Sequence, residues 1–259
     1  MNSTILVPNT PPKTLVESIF RDIRADILSC RHPPGGKLSI EKLRADYRVS
    51  GGPVREALCR LTAQGFVVAE GQRGFRVADV VIEELLDITK NRIWIEAMAL
   101  RSSFVHGTIE WEAQLIAADH RLRAEQAKRD QQALPESTAE WENAHHTFHF
   151  ELVSACGSEH LLRYRDQLID MGERYRRLAA RQLSQVPGRA GRASDHVDLT
   201  AAALSRDSKR AVEIIEHHLI DNASTAMEVI LNQDADIPQL IAELRKSVHV
   251  GLQTSANVA

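Results

Sequence analysis

The chain has 259 residues, 43% of them hydrophobic and 5% aromatic, and a net charge of −3. It is long enough for one large domain or two ordinary ones, but no apolar run approaches the ~20 residues that span a bilayer. Neither a secretory signal nor a disulfide framework is expected: MNSTILVPNTPPK lacks a basic then long apolar stretch, and Cys30, Cys59 and Cys156 are scattered. These absences predict a cytoplasmic protein with no membrane partner.

In chain order, residues 1–12 contain three prolines and little periodicity, which predicts a flexible arm. Leu15–Ser29 places Leu15, Val16, Ile19, Phe20, Ile23, Ile27 and Leu28 on a helical stripe, and Pro33-Pro34-Gly35-Gly36 stops it. Ser39 can cap a second helix, Ile40–Tyr47. Ser50 can cap a third, whose first turn holds Pro53, where a missing N–H costs nothing. Val54, Ala57, Leu58 and Leu61 form its buried side, leaving Arg55, Cys59 and Arg60 elsewhere, and Gln64-Gly65 ends it. Two short apolar runs follow, Phe66–Ala69 and Phe75–Val77, around a Gly-rich turn. Helix, turn, helix and β-wing in that order predict a winged helix-turn-helix over residues 13–78, with its third helix entering a DNA major groove.

Charge distribution agrees. Residues 1–78 carry 12 Lys/Arg against 7 Asp/Glu, while the remainder carries 20 against 28. A basic N-terminal third joined to an acidic remainder suits a nucleic-acid-binding module attached to something that does not touch DNA. Arg55, one turn into the third helix, is the best candidate for reading a guanine edge or holding a phosphate. Ser50 and the helix N-terminal amides can hold a backbone phosphate. Arg73 and Gly74 would form the wing tip, and Arg44 and Arg48 are further phosphate contacts.

Beyond Asp79, the expected boundary, no strand pattern occurs. Helices are predicted at about 81–106, 108–128, 137–156, 159–184, 192–205 and 208–232, with breaks at Gly107, near Pro135, at Gly157, at Val186-Pro187-Gly188 and at Arg206-Asp207. The fold class is therefore mainly α, with an all-α antiparallel helical bundle over about 80–235. A weaker helical piece, Pro238–Val248, lies within a C-terminal helix and tail over 236–259. In Trp141–Phe150, His145 and His149 stand at i and i+4, a spacing that lets two imidazoles share one metal, while His146 points about 100° away. His196 and the pair His217-His218 follow. Any one of these alone is more often an ordinary surface or core histidine.

The N-terminal segment resembles the GntR family of bacterial transcription regulators. The resemblance rests on Pro34-Gly35, Leu38, Leu43, Val49-Ser50, Pro53-Val54-Arg55-Glu56-Ala57-Leu58, Arg60-Leu61, Gly65 and Arg73-Gly74-Phe75-Arg76-Val77. One departure stands out: Gly51-Gly52 replaces the Arg-Thr usual in the family, removing a side chain that commonly touches a base or phosphate. The second domain is similar to the FCD domain of the FadR subfamily. Arg92 and Glu96 fit its first-helix R-x-x-x-E, Phe148-His149 its F-H pair, and His196 and His218-Leu219 its last two elements.

That resemblance implies a divalent metal held by His145, His149, His196 and His218, with His145 where the family has Asp. Four imidazoles favour borderline metals, zinc or nickel first, over magnesium or calcium. A small carboxylate effector would complete the coordination, helped by Arg92. The implied protein is a ligand-responsive homodimeric regulator of operator DNA, most often a repressor. Two alternatives stay open at this point: a metal-dependent hydrolase or lyase with an accessory DNA-binding domain, and a direct metal sensor.

Overall fold

The computed structural model describes residues 14–132, 138–183, 194–231 and 236–256. The expected arm over 1–12 and the predicted breaks near Pro135 and at Val186-Pro187-Gly188 lie outside the described residues. The chain divides into two compact units, Met1–Val80 and Val81–Ala259.

In the first unit, helix α1 spans Leu15–Leu28, opened by Thr14, whose hydroxyl accepts from the Glu17 amide. Strand β1 (Lys37–Leu38) leads into α2 (Ile40–Tyr47), which Ser39 caps by accepting from the Lys42 amide. Arg48 closes α2 in the left-handed region at φ 56°, a position usually given to glycine or asparagine. Helix α3 (Gly51–Ala63) follows, then strands β2 (Val67–Ala69) and β3 (Phe75–Val77). The sheet is antiparallel in the order β1-β3-β2, with Leu38 opposite Phe75 and Val67 opposite Val77. Val54, Ala57, Leu58 and Leu61 are fully buried against Ile23, Leu43 and Phe66, so the period-3.6 stripe is what docks α3 on α1 and α2.

The structure departs from the sequence expectation at two places in this unit. Ser50 occupies the N-cap position of α3 with an extended backbone, but its hydroxyl makes no capping hydrogen bond. Strand β1 was not among the predicted elements, because two residues are too short to show alternation; it exists through its pairing with β3.

The second unit is all helical among its described residues: α4 (Ile82–His106), α5 (Ile109–Gln132), α6 (Ala139–Glu151), α7 (Glu159–Leu183), α8 (Ser194–Leu204), α9 (Ser208–Ile230) and α10 (Ile237–Ala256). Helix α4 packs against α7, α9 and α10, while α5 packs against α6 and α8. The α4–α5 corner depends on Gly107. A Cβ there would lie 2.4 Å from a Trp111 ring carbon and 2.6 Å from Arg206 Nη1, and the same guanidinium donates to the Gly107 carbonyl. The helix predicted over 137–156 stops at Glu151 and continues as turns through Ala155. The weak piece predicted at Pro238–Val248 is a helix of 20 residues, fastened to α4 by the Trp94 indole donating to the Val248 carbonyl at 3.1 Å.

Candidate functional site

The two units present two different constellations. In the first, Arg44, Arg48, Ser50, Arg55 and Arg73 are all exposed. Arg55 is exposed on the flank of α3, beside its buried stripe, and Arg44 lies in the last turn of α2. Arg73 ends a short 3-10 turn, Gly71–Arg73, between β2 and β3, and Gly74 follows at φ 98°, a conformation that favours glycine. Among the described residues no acidic side chain pairs with Arg44, Arg48, Arg55 or Arg73. Other arginines of this unit are committed: Arg60 to Glu17 at 2.9 Å, Arg31 to Asp26 at 3.0 Å, and Arg76 to Glu70 at 2.8 Å and Asp79 at 2.6 Å.

In the second unit, the bundle brings together the four histidines named from the sequence. His145 and His149 come from α6, His196 from α8 and His218 from α9. One ligand nitrogen on each ring lies within 4.8 Å of those on the other three. Two ligands bound ~2.1 Å from one ion span at most ~4.2 Å, so small side-chain rotations would close the shell. Both ring nitrogens of His149 and Nε2 of His196 are buried without a hydrogen-bond partner. Each such orphan costs about 1–3 kcal/mol, and a cation accepting one lone pair from each ring would remove part of that penalty. Burial first, and the neighbouring imidazoles second, hold His145 and His149 well below the usual histidine range, and burial pushes His196 down to about 4. His145, His149 and His196 are thus held toward the neutral form that ligates metals. His146 and His217 stand outside this group.

Arg92 is only 21% exposed and lies 3.6 Å from Glu96, one turn along α4. The sequence reading missed the partners behind the cluster. Asp195 Oδ2 lies 3.3 Å from His218 Nδ1, which fixes the orientation of that imidazole. Arg165 is completely buried on α7; it reaches Glu96 at 2.9 Å and donates to the His149 carbonyl at 2.9 Å. Asp195 adjoins His196 in the sequence, which was a usable signal. Arg165 gave none, reading as one more charge on an amphipathic helix.

Comparison with known families places these features. The model for bacterial regulatory proteins of the gntR family matches residues 15–77, and that for the FCD domain matches residues 87–221. The chain belongs to the GntR family and carries an FCD domain. It is 38% identical over 224 residues to the HTH-type transcriptional regulator BphR of Paraburkholderia xenovorans, covering 86% of this chain and 89% of that one. It is 36% identical over 202 residues to the HTH-type transcriptional repressor GlaR of Escherichia coli, covering 78% and 90%. Escherichia coli McbR/YncC shares the fold, with a TM-score of 0.64 at 20% identity over 84% of this chain and 99% of that one. This GntR-family protein is therefore a DNA-binding transcription regulator with an FCD effector-binding domain. Its families and relatives are regulators rather than enzymes, which removes the hydrolase alternative. Among its described residues no helix is long and apolar enough to cross a membrane.

Proposed function

We propose that this regulator is a cytoplasmic repressor that binds a pseudo-palindromic operator as a homodimer and is controlled by a small carboxylate at a metal centre. The observation that carries the reading is the four-histidine cluster with orphaned, buried ring nitrogens. His145, His149, His196 and His218 would hold a divalent ion, zinc or nickel before magnesium or calcium, because the donor set is all nitrogen. Such an ion supplies a positive centre on which an oxyanion can bind. The neutral imidazoles leave that charge uncompensated, and Arg92 adds a guanidinium for the effector's carboxylate.

The reader would use Arg55 on the major-groove edge of a base, Ser50 and the α3 amide end on a phosphate, Arg44 and Arg48 on the flanking backbone, and Arg73 with Gly74 at the wing. Support comes from the exposure of these side chains and the lack of acidic partners for the four arginines among the described residues. The relative named a repressor favours that sign of control. An effector shifts operator binding only if it has different affinities for the two arrangements of the readers.

The test is elemental analysis of the purified protein, thermal melting with and without chelator, and gel shifts on the adjacent promoter with a carboxylate panel. Stoichiometric metal, a chelator-lowered melting temperature and release by one carboxylate are expected. No bound metal together with chelator-indifferent melting would falsify the metal reading. Operator affinity that follows free zinc or nickel with no organic acid present would instead make the ion itself the signal.

A further inference from the structure

We propose that Trp141 is the positioning residue for His145, and that stacking on its indole replaces the hydrogen bond by which a ligand imidazole is ordinarily held. This rests on the metal-binding reading above. Trp141, His145 and His149 recur every four residues on α6 and so share one face. The Trp141 and His145 rings stack at 4.7 Å between centroids, inclined by only 19°.

The indole is itself tethered. Its Nε1 donates to Gln126 Oε1 on α5 at 2.9 Å, and the Gln126 amide donates to Asp130 at 2.7 Å. The Arg129 guanidinium lies 4.8 Å from the Trp141 ring centroid. At the backbone, the Trp141 amide donates to Thr138 Oγ1, the cap of α6, at 3.1 Å.

A metal-bound histidine normally gives its second ring nitrogen to a carboxylate or carbonyl, which sets the plane of the ring. His218 follows that rule through Asp195. His145 does not: among the described residues neither of its nitrogens has a hydrogen-bond partner. Its plane is set by the flat wall behind it, which leaves the ring 4.5 Å from His149, 5.1 Å from His196 and 6.3 Å from His218. Without that wall, the side chain regains rotamers whose loss the metal shell must then oppose. The aspartate of the family pattern offers no ring to stack, so Trp141 specifically serves the imidazole at position 145.

The test is titration of the full chain with zinc by calorimetry and with cobalt(II) by visible absorption. Trp141→Leu is expected to weaken zinc binding about ten-fold, the lower end of losses seen when an outer partner of a ligand is removed. Its cobalt spectrum should move toward that of His145→Ala, and Trp141→Phe, which keeps a flat ring, should restore both readouts. In a His145→Asp background Trp141→Leu should cost nothing, because the indole acts only through the imidazole. Equal zinc affinity in wild type and Trp141→Leu, or an equal loss in the His145→Asp background, overturns the positioning role and leaves the metal site standing. Absence of zinc and cobalt from the wild type overturns both. If Trp141→Leu does not fold, Gln126→Leu, which unties the indole without touching the histidine face, carries the same comparison with a smaller loss.

Discussion

Four arginines of the DNA-binding unit and three of the FCD unit are used in opposite ways. In the DNA-binding unit Arg44, Arg48, Arg55 and Arg73 stand exposed with no acidic partner among the described residues. In the FCD unit Arg165 is buried on Glu96, Arg176 bridges Glu142 and Glu173, and Arg174 holds Glu84. An exposed, uncommitted charge contributes little to stability and is available to a polyanion. A buried pair contributes little net stability as built, yet losing one member leaves the other charge stranded. Substitutions should therefore separate binding from folding cleanly between the two halves.

The largest effect is expected at Arg165. Arg165→Leu strands the Glu96 carboxylate and removes the donor to the His149 carbonyl, so it should destabilise the FCD unit by about 3–5 kcal/mol in urea unfolding. A loss under ~1 kcal/mol would mean that water or Arg92 takes over the carboxylate, and the contrast between the halves would collapse.

Next comes Glu173. Burial alone would raise its carboxyl, but the hydrogen bond and charge of Arg176, followed by Arg177, hold it down to about 2. Because the folded value lies below the ordinary 4.5, the unfolded chain takes up the proton first on acidification. The stabilisation is complete above about pH 4.5 and disappears as the pH falls toward 2. Glu173→Gln should cost roughly 2–3 kcal/mol at neutral pH and flatten the acid limb of a stability-versus-pH curve. An unchanged acid limb would assign that titration to other carboxylates.

The same contrast explains what was legible in the sequence. The reader is built from local signals: the stripe Val54, Ala57, Leu58, Leu61, the cap at Ser39 and the glycine turn of the wing all act within a few residues. Strand β1, unforeseen in the sequence, owes its existence to a partner strand far along the chain. In the FCD unit spacing alone singled out only His145 and His149. His196 and His218 entered through resemblance, since no local pattern says that α6, α8 and α9 converge. Asp195, Arg165 and Trp141 act across helix interfaces, where a side chain's partner is decided by packing. Helix α10 is the same lesson in propensity: Leu244 and Val248 bury into the bundle core, and tertiary packing extends a helix that looked weak.

On the exposed side, Arg55→Ala should leave the melting temperature nearly unchanged and weaken operator binding by about 1–3 kcal/mol, roughly five- to 150-fold. Competition with shuffled DNA distinguishes its two possible roles. Loss confined to the operator marks base reading, whereas uniform loss with a shallower salt dependence marks a phosphate contact.

The smallest expected change is a gain, at the glycine pair that opens α3. A Cβ at Gly52 meets nothing within 4 Å, and one at Gly51 comes no closer than 3.3 Å to Arg44 Cδ, a flexible side chain that can yield. Gly51→Arg restores the family's residue at the amide end of α3. It should also recover some of the ~1 kcal/mol that glycine costs an ordered helix. Operator affinity should rise about five-fold in fluorescence anisotropy, or the preferred sequence should shift in a randomised-site selection. Both readouts unchanged would mean that the glycine pair is silent in operator binding and that the reader leans on Arg55 and the wing.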